Sequence, residues 1–184
     1  MEKGQILVER YTSKLDGVRF IEYVDCPPST IYNYEYVKEN GIGTFFTYHY
    51  NISLFRSHIL RGFYIQDVPY VNNQMLQCLE GSCQIVLLDL RDMLSTFGKT
   101  DAFTLGEQGS ASLYIPSGVA YAVLSLTENT EIIGLSDTVI SRLSTVMINP
   151  FDERLGIDWP DDVAASVELR RFSKKYDELE HYFW

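Results

Sequence analysis

Short runs of alternating apolar and polar residues fill most of the chain and predict a fold built almost entirely from β-strands. Turn signals such as Glu80-Gly81 and Ser117-Gly118 separate these runs, and no helical pattern lies between them. Many short strands joined by turns are typical of a β-sandwich or a barrel. The predicted strands of this region are Thr44 to Asn51, His58 to Gln66, Met75 to Leu79, Cys83 to Leu90, Ala102 to Leu105, Ser112 to Ile115, Val119 to Leu126 and Glu131 to Leu135.

The N-terminal part of the chain shows a weaker pattern. Two short strands are predicted on either side of a turn at Asp16-Gly17, and a short helix or irregular excursion is predicted from Ser29 to Asn40. The two strands are Ile6 to Glu9 and Val18 to Tyr23.

In the C-terminal part of the chain, the spacing of the apolar residues changes. After Asp161 and Asp162, which suit the N-terminal end of a helix dipole, apolar residues recur at mostly helical spacing. We therefore expect one domain over residues 1–184, with a β core at about 44–140 and a C-terminal helix at about 162–180.

One predicted strand, from Leu60 to Gln66, carries polar groups that a strand interior rarely holds. Arg61, Gly62 and Tyr64 stand there among apolar residues. In a regular strand Arg61 and Tyr64 would point to opposite faces, because their separation is odd. A bulge at Gly62 would turn both toward one face, and a glycine inside a strand often marks a bulge or the close approach of a ligand. The alternative is an edge strand with Arg61 in solvent.

Composition and charge narrow the classes of partner. The 184-residue chain is 46% hydrophobic but has no apolar run of about 18 residues and no signal-peptide pattern, so we expect a cytoplasmic protein that engages no membrane. Its formal net charge is −10, spread along the chain, which argues against nucleic acid as a partner. One or two well-placed arginines would still bind a small anionic ligand.

The cysteines and histidines lack the spacing of a metal site. The cysteines read as small buried hydrophobic residues, and the histidines are scattered with no close partner. The residues concerned are Cys26, Cys78, Cys83, His49, His58 and His181. We therefore expect no metal.

An acidic residue falls on the apolar face of a predicted strand. Asp89 shares this face with Cys83, Ile85 and Leu87. An unpaired buried carboxylate is costly, so Asp89 is either paired for structural reasons or placed at the mouth of a cavity as a site residue.

Five short motifs occur in an order and spacing that carry a family resemblance. They are Leu60-Arg61-Gly62, Leu88-Asp89-Leu90-Arg91, Ser95-Thr96-Phe97-Gly98, Ile115-Pro116-Ser117-Gly118 and Gly156-Ile157-Asp158-Trp159-Pro160. With them, the sequence from about residue 44 to 160 resembles the dTDP-4-dehydrorhamnose 3,5-epimerase family. The resemblance implies a cupin without metal or cofactor, a double-sheet β jelly roll that forms a homodimer through its N-terminal strands. It also implies that a dTDP-linked 4-keto-6-deoxyhexose binds inside the barrel.

The chemistry of that family defines the positions to compare. Inverting a carbon beside a ketone needs a base that takes the α proton, an acid on the opposite face and a group that stabilises the enolate. The resemblance implies a His base, an Asp that orients it, a Lys and a Tyr. At the corresponding positions this chain has, respectively, Tyr64, Tyr176 or Asp177, Gln74, and Val139-Ile140.

Other positions of the implied ligand site keep polar residues. Tyr121 stands where a ligand-contacting histidine is expected, and His49 replaces a glutamine. The residues expected to bind substrate are Arg61, Gln74, Asp89, His49, Asn51, Ser53 and Gln66, and those expected to move protons are Tyr64, Tyr121 and Tyr176.

Tyr64 is better suited to donating a proton than to accepting one. A free phenol titrates near pH 10, so ionising it at neutral pH costs about 4 kcal/mol. Arg61 is the nearby cation that could lower this cost. Three functions stay open: an epimerase or isomerase with a rebuilt, tyrosine-rich site, a non-catalytic cupin that binds a sugar nucleotide or carbohydrate, and a structural or regulatory subunit whose pocket its own tyrosines fill.

Overall fold

A computed structural model describes residues 13–22, 38, 41–42, 45–106 and 111–165. Nearly all of the regular structure in this part is β, and no helix in it has the length and hydrophobicity that a membrane span requires. The strands are β1 (Arg19–Glu22), β2 (Tyr48–Leu54), β3 (Ile59–Gln66), β4 (Gln74–Glu80), β5 (Ser82–Asp89), β6 (Thr100–Gly106), β7 (Ala111–Ile115), β8 (Val119–Ser125), β9 (Thr130–Ser136), β10 (Thr145–Met147) and β11 (Ala164–Ala165). A 3-10 turn, Glu153–Leu155, lies between β10 and β11.

The strands form two sheets. One has the strand order β1-β7-β4-β9-β2, and the other has the order β10-β3-β8-β5-β6, with β11 paired to β3. Strands that follow one another in sequence, such as β4 and β5 or β7 and β8, lie in different sheets, so the chain crosses repeatedly between the layers. The double-sheet, all-β architecture expected from the sequence is confirmed.

The main core lies between the sheets and consists of the inward side chains of both layers. Burying these apolar side chains is the main favourable term in folding. One sheet contributes Ile52, Leu76, Leu113 and Ile132, and the other contributes Ile85, Leu87, Leu105 and Val123. These residues alternate with outward-facing ones along each strand, and this alternation is the pattern from which the sequence predicts the strands. All eight strands predicted between residues 44 and 135 are present, with ends shifted by a few residues.

The sequence does not predict β10 and β11, which are too short to show an alternating pattern. Both lie along one edge of β3. β10 pairs with its end, where Thr145 is opposite Gln66, and β11 runs parallel to its beginning at Ile59 and Leu60.

The prediction of a C-terminal helix beginning at about residue 162 is wrong at its start. Asp162 lies in a turn, and the next residues form β11. The carboxylate of Asp162 lies 2.6 Å from Nδ1 of His58, so this contact and the backbone of β3 hold the segment extended. The rest of that helix, 166–180, lies outside the described residues, as do Ile6 to Glu9, Cys26 and most of the excursion from 29 to 40.

A second apolar cluster covers the outer face of the sheet that contains β3. Leu60, Phe63 and Leu88 point outward there, and residues of the segment 148–163 pack over them. Trp159, which belongs to this segment, donates from Nε1 to the backbone oxygen of Pro150 at 2.8 Å. The motif from Gly156 to Pro160 therefore covers the sheet from outside and does not line its interior.

Asp89 is fully buried, and hydrogen bonds satisfy its carboxylate. Arg91 donates from Nε at 2.8 Å and from its backbone N–H at 3.0 Å, and Thr96 donates from its hydroxyl at 2.6 Å. Burial alone would raise the pKa of Asp89, but these hydrogen bonds and the charge of Arg91 hold that pKa below its usual value. Gly118 leaves room for Arg91, because a Cβ there would lie 2.5 Å from Arg91 Cγ. Three of the five motifs thus meet at one ion pair, which is the structural pairing left open above.

Two cysteines behave as the sequence predicts. Cys78 and Cys83 are buried free thiols at the turn between β4 and β5. Cys78 donates from Sγ to the backbone oxygen of Glu80 at 3.2 Å.

Replacing Arg91 by Met should strongly destabilise the fold, because it leaves a buried carboxylate unpaired. Arg154 makes the same contacts with Asp152, from Nε and from its backbone N–H, but the Arg154 side chain is 55% exposed, against 19% for Arg91. Arg154→Met is therefore a matched control. In denaturant unfolding at neutral pH, we expect Arg91→Met to lower the free energy of unfolding by about 3 kcal/mol or more. We expect Arg154→Met to lower it by less than about 1 kcal/mol.

The difference in the free energy of unfolding between the wild type and Arg91→Met should also depend on pH. Because the pKa of Asp89 is lower in the folded than in the unfolded chain, its contribution to stability is complete above about pH 4 and is lost as the pH falls through the folded value. The free energy of unfolding should therefore fall more steeply below about pH 4 in the wild type than in Arg91→Met. Equal costs of the two arginine substitutions would contradict this account.

Candidate functional site

The pairing of β3 with β8 contains a bulge, which is the first of the two alternatives that the sequence leaves open for this strand. Arg61 lies opposite Val123 and Tyr64 lies opposite Tyr121, so three steps along β3 match two along β8. Gly62 lies inside this irregularity with a φ of +106°. A Cβ at Gly62 would lie 2.5 Å from the backbone oxygen of Tyr121, so a side chain at this position would push the strands apart.

The bulge brings Arg61 and Tyr64 to the same face. Val123 and Tyr121 are two residues apart on β8 and both belong to the core between the sheets, so the residues opposite them also face this interior. The rings of Tyr64 and Tyr121 lie 6.0 Å apart between centroids, at 57°. The positive charge of Arg61 acts on the phenol of Tyr121. These three predicted site residues are therefore brought together.

Two residues of the opposite sheet complete the cluster. Tyr50 of β2 donates from its hydroxyl to Oε1 of Gln74 on β4, and its hydroxyl oxygen lies 3.1 Å from that of Tyr121. Gln74 is among the site residues expected from the sequence, whereas Tyr50 is not. Alternation of Tyr50 with Ile52 and Leu54 is the signal that would have placed it on the inward face of β2. We call Arg61, Tyr64, Tyr121, Tyr50 and Gln74 the tyrosine cluster.

Burial dominates the electrostatics of the tyrosine cluster. It raises the pKa of Tyr50 well above the ordinary value, and the charge and hydrogen bond of Tyr121 raise it further. Burial also raises the pKa of Tyr121, while the hydrogen bond with Tyr50 and the charge of Arg61 offset part of this rise. Both phenols are therefore neutral hydrogen-bonding groups at neutral pH.

The tyrosine cluster offers neutral donors and acceptors beside one guanidinium group. Such a set suits the hydroxyl and keto groups of a sugar and one anionic group of a ligand. None of its five members is a carboxylate, a histidine or a lysine. Among the described residues, no group of three or more His, Cys, Asp or Glu side chains could hold a metal ion.

Three predicted ligand contacts lie on the other face of β2. His49, Asn51 and Ser53 are exposed, because they alternate with the inward residues of this edge strand. Ser53 donates to Oε2 of Glu131 at 2.8 Å. The structure does not bring these residues to the tyrosine cluster, and their roles in binding stay predictions.

The remaining predicted site residues have other surroundings. Gln66 is buried, donates to Oγ1 of Thr145 at 2.6 Å and accepts from the backbone N–H of Ser141 at 2.9 Å, so it fixes the turn before β10. Asp89 is held by Arg91 and Thr96 as described. Tyr176 lies outside the described residues.

A loop connection fixes the end of the barrel where Gln74 begins β4. The side chain of Asn73 donates to Asp137 at 2.6 Å and accepts from the backbone N–H of Ser117 at 3.0 Å. These bonds join the start of β4 to the chain after β9 and to the turn before β8. Val139 and Ile140, which follow Asp137, are exposed.

Comparisons with known proteins agree on one family. A sequence model described as dTDP-4-dehydrorhamnose 3,5-epimerase matches residues 28–180. A dTDP-4-dehydro-6-deoxyglucose 3-epimerase of Streptomyces bikiniensis is 27% identical over 120 residues, which are 65% of this chain and 61% of that protein. A dTDP-4-dehydrorhamnose 3,5-epimerase of Mycobacterium tuberculosis is 29% identical over 122 residues, which are 65% of this chain and 60% of that protein. The aligned part thus spans less than two thirds of the length of these curated relatives.

Solved structures show the same fold. The crystal structure of a dTDP-4-dehydrorhamnose 3,5-epimerase from Bacillus anthracis, with TDP and PPi bound, matches with a TM-score of 0.80 at 20% identity, covering 89% of this chain and 97% of that one. A dTDP-6-deoxy-D-glucose-3,5-epimerase from Legionella pneumophila, in complex with dTDP-4-keto-L-rhamnose, matches with a TM-score of 0.76 at 20% identity, covering 90% of this chain and 91% of that one.

Replacing Gly62 by Ala should disrupt the pairing that forms the tyrosine cluster. The added Cβ would lie 2.8 Å from Cα of Ala122 as well as 2.5 Å from the oxygen of Tyr121, at a φ that alanine rarely adopts. Gly156 also has a positive φ, +60°, but has open space around it, so Gly156→Ala is the control. In denaturant unfolding we expect a loss of about 3 kcal/mol or more for Gly62→Ala and about 1 kcal/mol for Gly156→Ala. Similar losses for both variants would show that the close approach of β3 and β8 is unimportant.

Proposed function

Because the chain belongs to the dTDP-4-dehydrorhamnose 3,5-epimerase family, we propose that it binds a dTDP-linked 4-keto-6-deoxyhexose between its sheets and acts there as an epimerase or isomerase. The reaction inverts the configuration of a carbon beside the ketone, as a step in deoxysugar or surface-polysaccharide biosynthesis. The observation that carries the proposal is the convergence of Arg61, Tyr64 and Tyr121 on one interior face through the bulge at Gly62. In keeping with the family, the protein works as a cytoplasmic homodimer without metal or cofactor.

Arg61 holds the diphosphate of the ligand. A guanidinium group binds phosphate oxygens through paired, charge-assisted hydrogen bonds. Arg61 lies within electrostatic reach of the Tyr121 phenol, so a diphosphate bound there brings the attached sugar next to the phenols.

The tyrosines take the proton-transfer steps. Tyr121 is neutral and buried, which suits an acid that returns a proton to the carbon beside the ketone. Tyr64 faces the same space from β3, and Tyr176 is the further proton carrier expected from the sequence. Gln74 stands where the family's lysine is expected and offers the sugar a neutral amide.

A second candidate function is binding without turnover. The observation that favours it is the raised pKa of both Tyr50 and Tyr121, because groups that stay neutral cannot take an α proton at neutral pH. In this case the tyrosine cluster recognises the sugar nucleotide through hydrogen bonds alone.

Binding of dTDP should depend on Arg61. We expect dTDP to raise the melting temperature of the wild type, and we expect Arg61→Met to weaken the affinity by about tenfold to a hundredfold, because a hydrogen bond to a charged group contributes about 1.5–3 kcal/mol. Arg56→Met, which changes an exposed arginine after β2, is the matched control and should bind like the wild type. Thermal shift gives the screen and calorimetry gives the affinity. No binding of dTDP or another nucleoside diphosphate by the wild type would contradict both candidate functions.

Exchange of the sugar protons separates the two functions. We expect the wild type to incorporate solvent deuterium at C3 or C5 of a dTDP-4-keto-6-deoxyhexose, measured by NMR or mass spectrometry. Tyr121→Phe should slow this exchange by about 10²–10⁴-fold while it keeps most of the dTDP affinity, because it removes an acid and not a phosphate contact. Tyr64→Phe tests the second phenol in the same way. Binding by the wild type without any exchange would assign the non-catalytic function.

A further inference from the structure

We propose that Tyr50 is a positioning residue that switches its single hydroxyl hydrogen from Gln74 to Tyr121 when Tyr121 gives up its proton. The role in turnover rests on the proposed function, in which Tyr121 is the acid. The switch itself is a property of the free protein.

Gly134 leaves the space that the ring of Tyr50 occupies. The two residues are direct cross-strand partners on β2 and β9, and a Cβ at Gly134 would overlap the Tyr50 ring at Cζ. The ring therefore crosses over β9 at the only residue type that leaves room for it. This path carries the Tyr50 hydroxyl from the edge strand β2 to Gln74 on β4, two strands away in the same sheet.

The Tyr50 hydroxyl also connects the two sheets. Its oxygen lies 3.1 Å from the hydroxyl oxygen of Tyr121, which belongs to β8 in the opposite sheet. The contact lies within the core, because Tyr121 is 5% exposed and Tyr50 packs against the same apolar cluster. Water therefore has little access to take the place of either partner.

Counting hydrogens defines the resting state. A phenol has one hydrogen to donate and an oxygen that accepts. Tyr50 gives its hydrogen to Oε1 of Gln74, so Tyr121 gives its own hydrogen to the oxygen of Tyr50. Gln74, a neutral amide, competes only moderately for the hydrogen of Tyr50.

Proton transfer reverses the second hydrogen bond. When Tyr121 protonates the enolate, its O–H bond breaks, a C–H bond forms on the sugar, and the oxygen of Tyr121 becomes a phenolate. A hydrogen bond to an ionised acceptor is roughly twice as strong as one to a neutral acceptor. Tyr50 then turns its hydrogen from the amide oxygen to the phenolate, and the state ends when a proton from solvent returns to Tyr121 after the product has left.

This switch matters because the phenolate is otherwise costly. Burial disfavours the ionised form of Tyr121, and within the described part of the chain Tyr50 and Arg61 favour it. Tyr50 itself keeps its proton, since its own pKa is raised well above the ordinary value. Tyr50 therefore keeps a hydrogen to donate to Tyr121 and does not compete with Tyr121 as an acid.

The test measures the titration of Tyr121 in the free protein. Tyr121→3,5-difluorotyrosine, introduced at this one site, lowers the phenol pKa toward a range where the chain stays folded and gives a fluorine NMR signal. In this background Tyr50→Phe keeps the ring on Gly134 and removes only the hydroxyl. We expect the ionisation constant at position 121 to fall by about tenfold, so that it titrates at a higher pH.

Two further variants complete the design. Gly134→Ala displaces the Tyr50 ring without changing any polar group, and where its melting curve shows a folded protein it should shift the titration in the same direction. Tyr48→Phe makes the same chemical change at an exposed position of β2 and should leave the titration unchanged. An unchanged or lowered titration in Tyr50→Phe, or in folded Gly134→Ala, would overturn the proposal.

Turnover gives a second readout that a structural role would not produce. Tyr50→Phe should lower kcat for proton exchange by about tenfold and leave KM nearly unchanged, because the hydrogen bond forms only after the proton has moved. The titration needs no ligand, so it remains decisive for the switch even when dTDP does not bind. A shifted titration without any exchange activity would retain the switch and remove the proposed enzymatic function.

Discussion

The close approach of β3 to β8 at Gly62 is the constraint on which the candidate site depends. With a side chain there, the backbones of Gly62 and Tyr121 could not lie in contact, and β3 could not carry one extra residue against β8. That extra residue changes the alternation of β3, so Arg61 and Tyr64 face the interior together. Without it, a regular strand would send one of them to the outer apolar cluster under Trp159.

Between the sheets, the described residues form two polar clusters that differ in charge. At Asp89 the charge is buried and fully satisfied by Arg91 and Thr96, so this cluster fixes loops and is closed to outside partners. In the tyrosine cluster the groups are neutral phenols and an amide, whose hydrogens can be redirected with little cost. A ligand with a keto group can therefore form hydrogen bonds with the tyrosine cluster. To bind at Asp89, it would have to break a buried ion pair.

Sequence and structure agree where the local pattern decides the outcome. The alternating runs predict the β-strands, and Gly62 inside an apolar run predicts the bulge, because both depend on neighbouring residues only. The sequence could not show that Tyr50 reaches Gln74 across Gly134, because this contact depends on how the strands are ordered in the sheets. Asp89, Arg91 and Thr96 are close in sequence, but their pairing depends on the conformation of the loop that follows β5. The sequence also predicts a helix at residue 162, where the contact with His58 and the pairing with β3 hold an extended segment instead. Asn51 and Ser53 are expected at the site only from the family resemblance, which does not reveal that they share the exposed face of β2.

A crystal structure of the chain with dTDP bound tests the central claim most directly. Our account predicts the diphosphate within hydrogen-bond distance of the Arg61 guanidinium, with its free end directed toward Tyr64 and Tyr121 between the two sheets. It also predicts that the hydroxyl of Tyr50 stays beside Tyr121. Density for dTDP on the outer face of β2, at Asn51 and Ser53, with the interior closed by its tyrosines, would contradict the account.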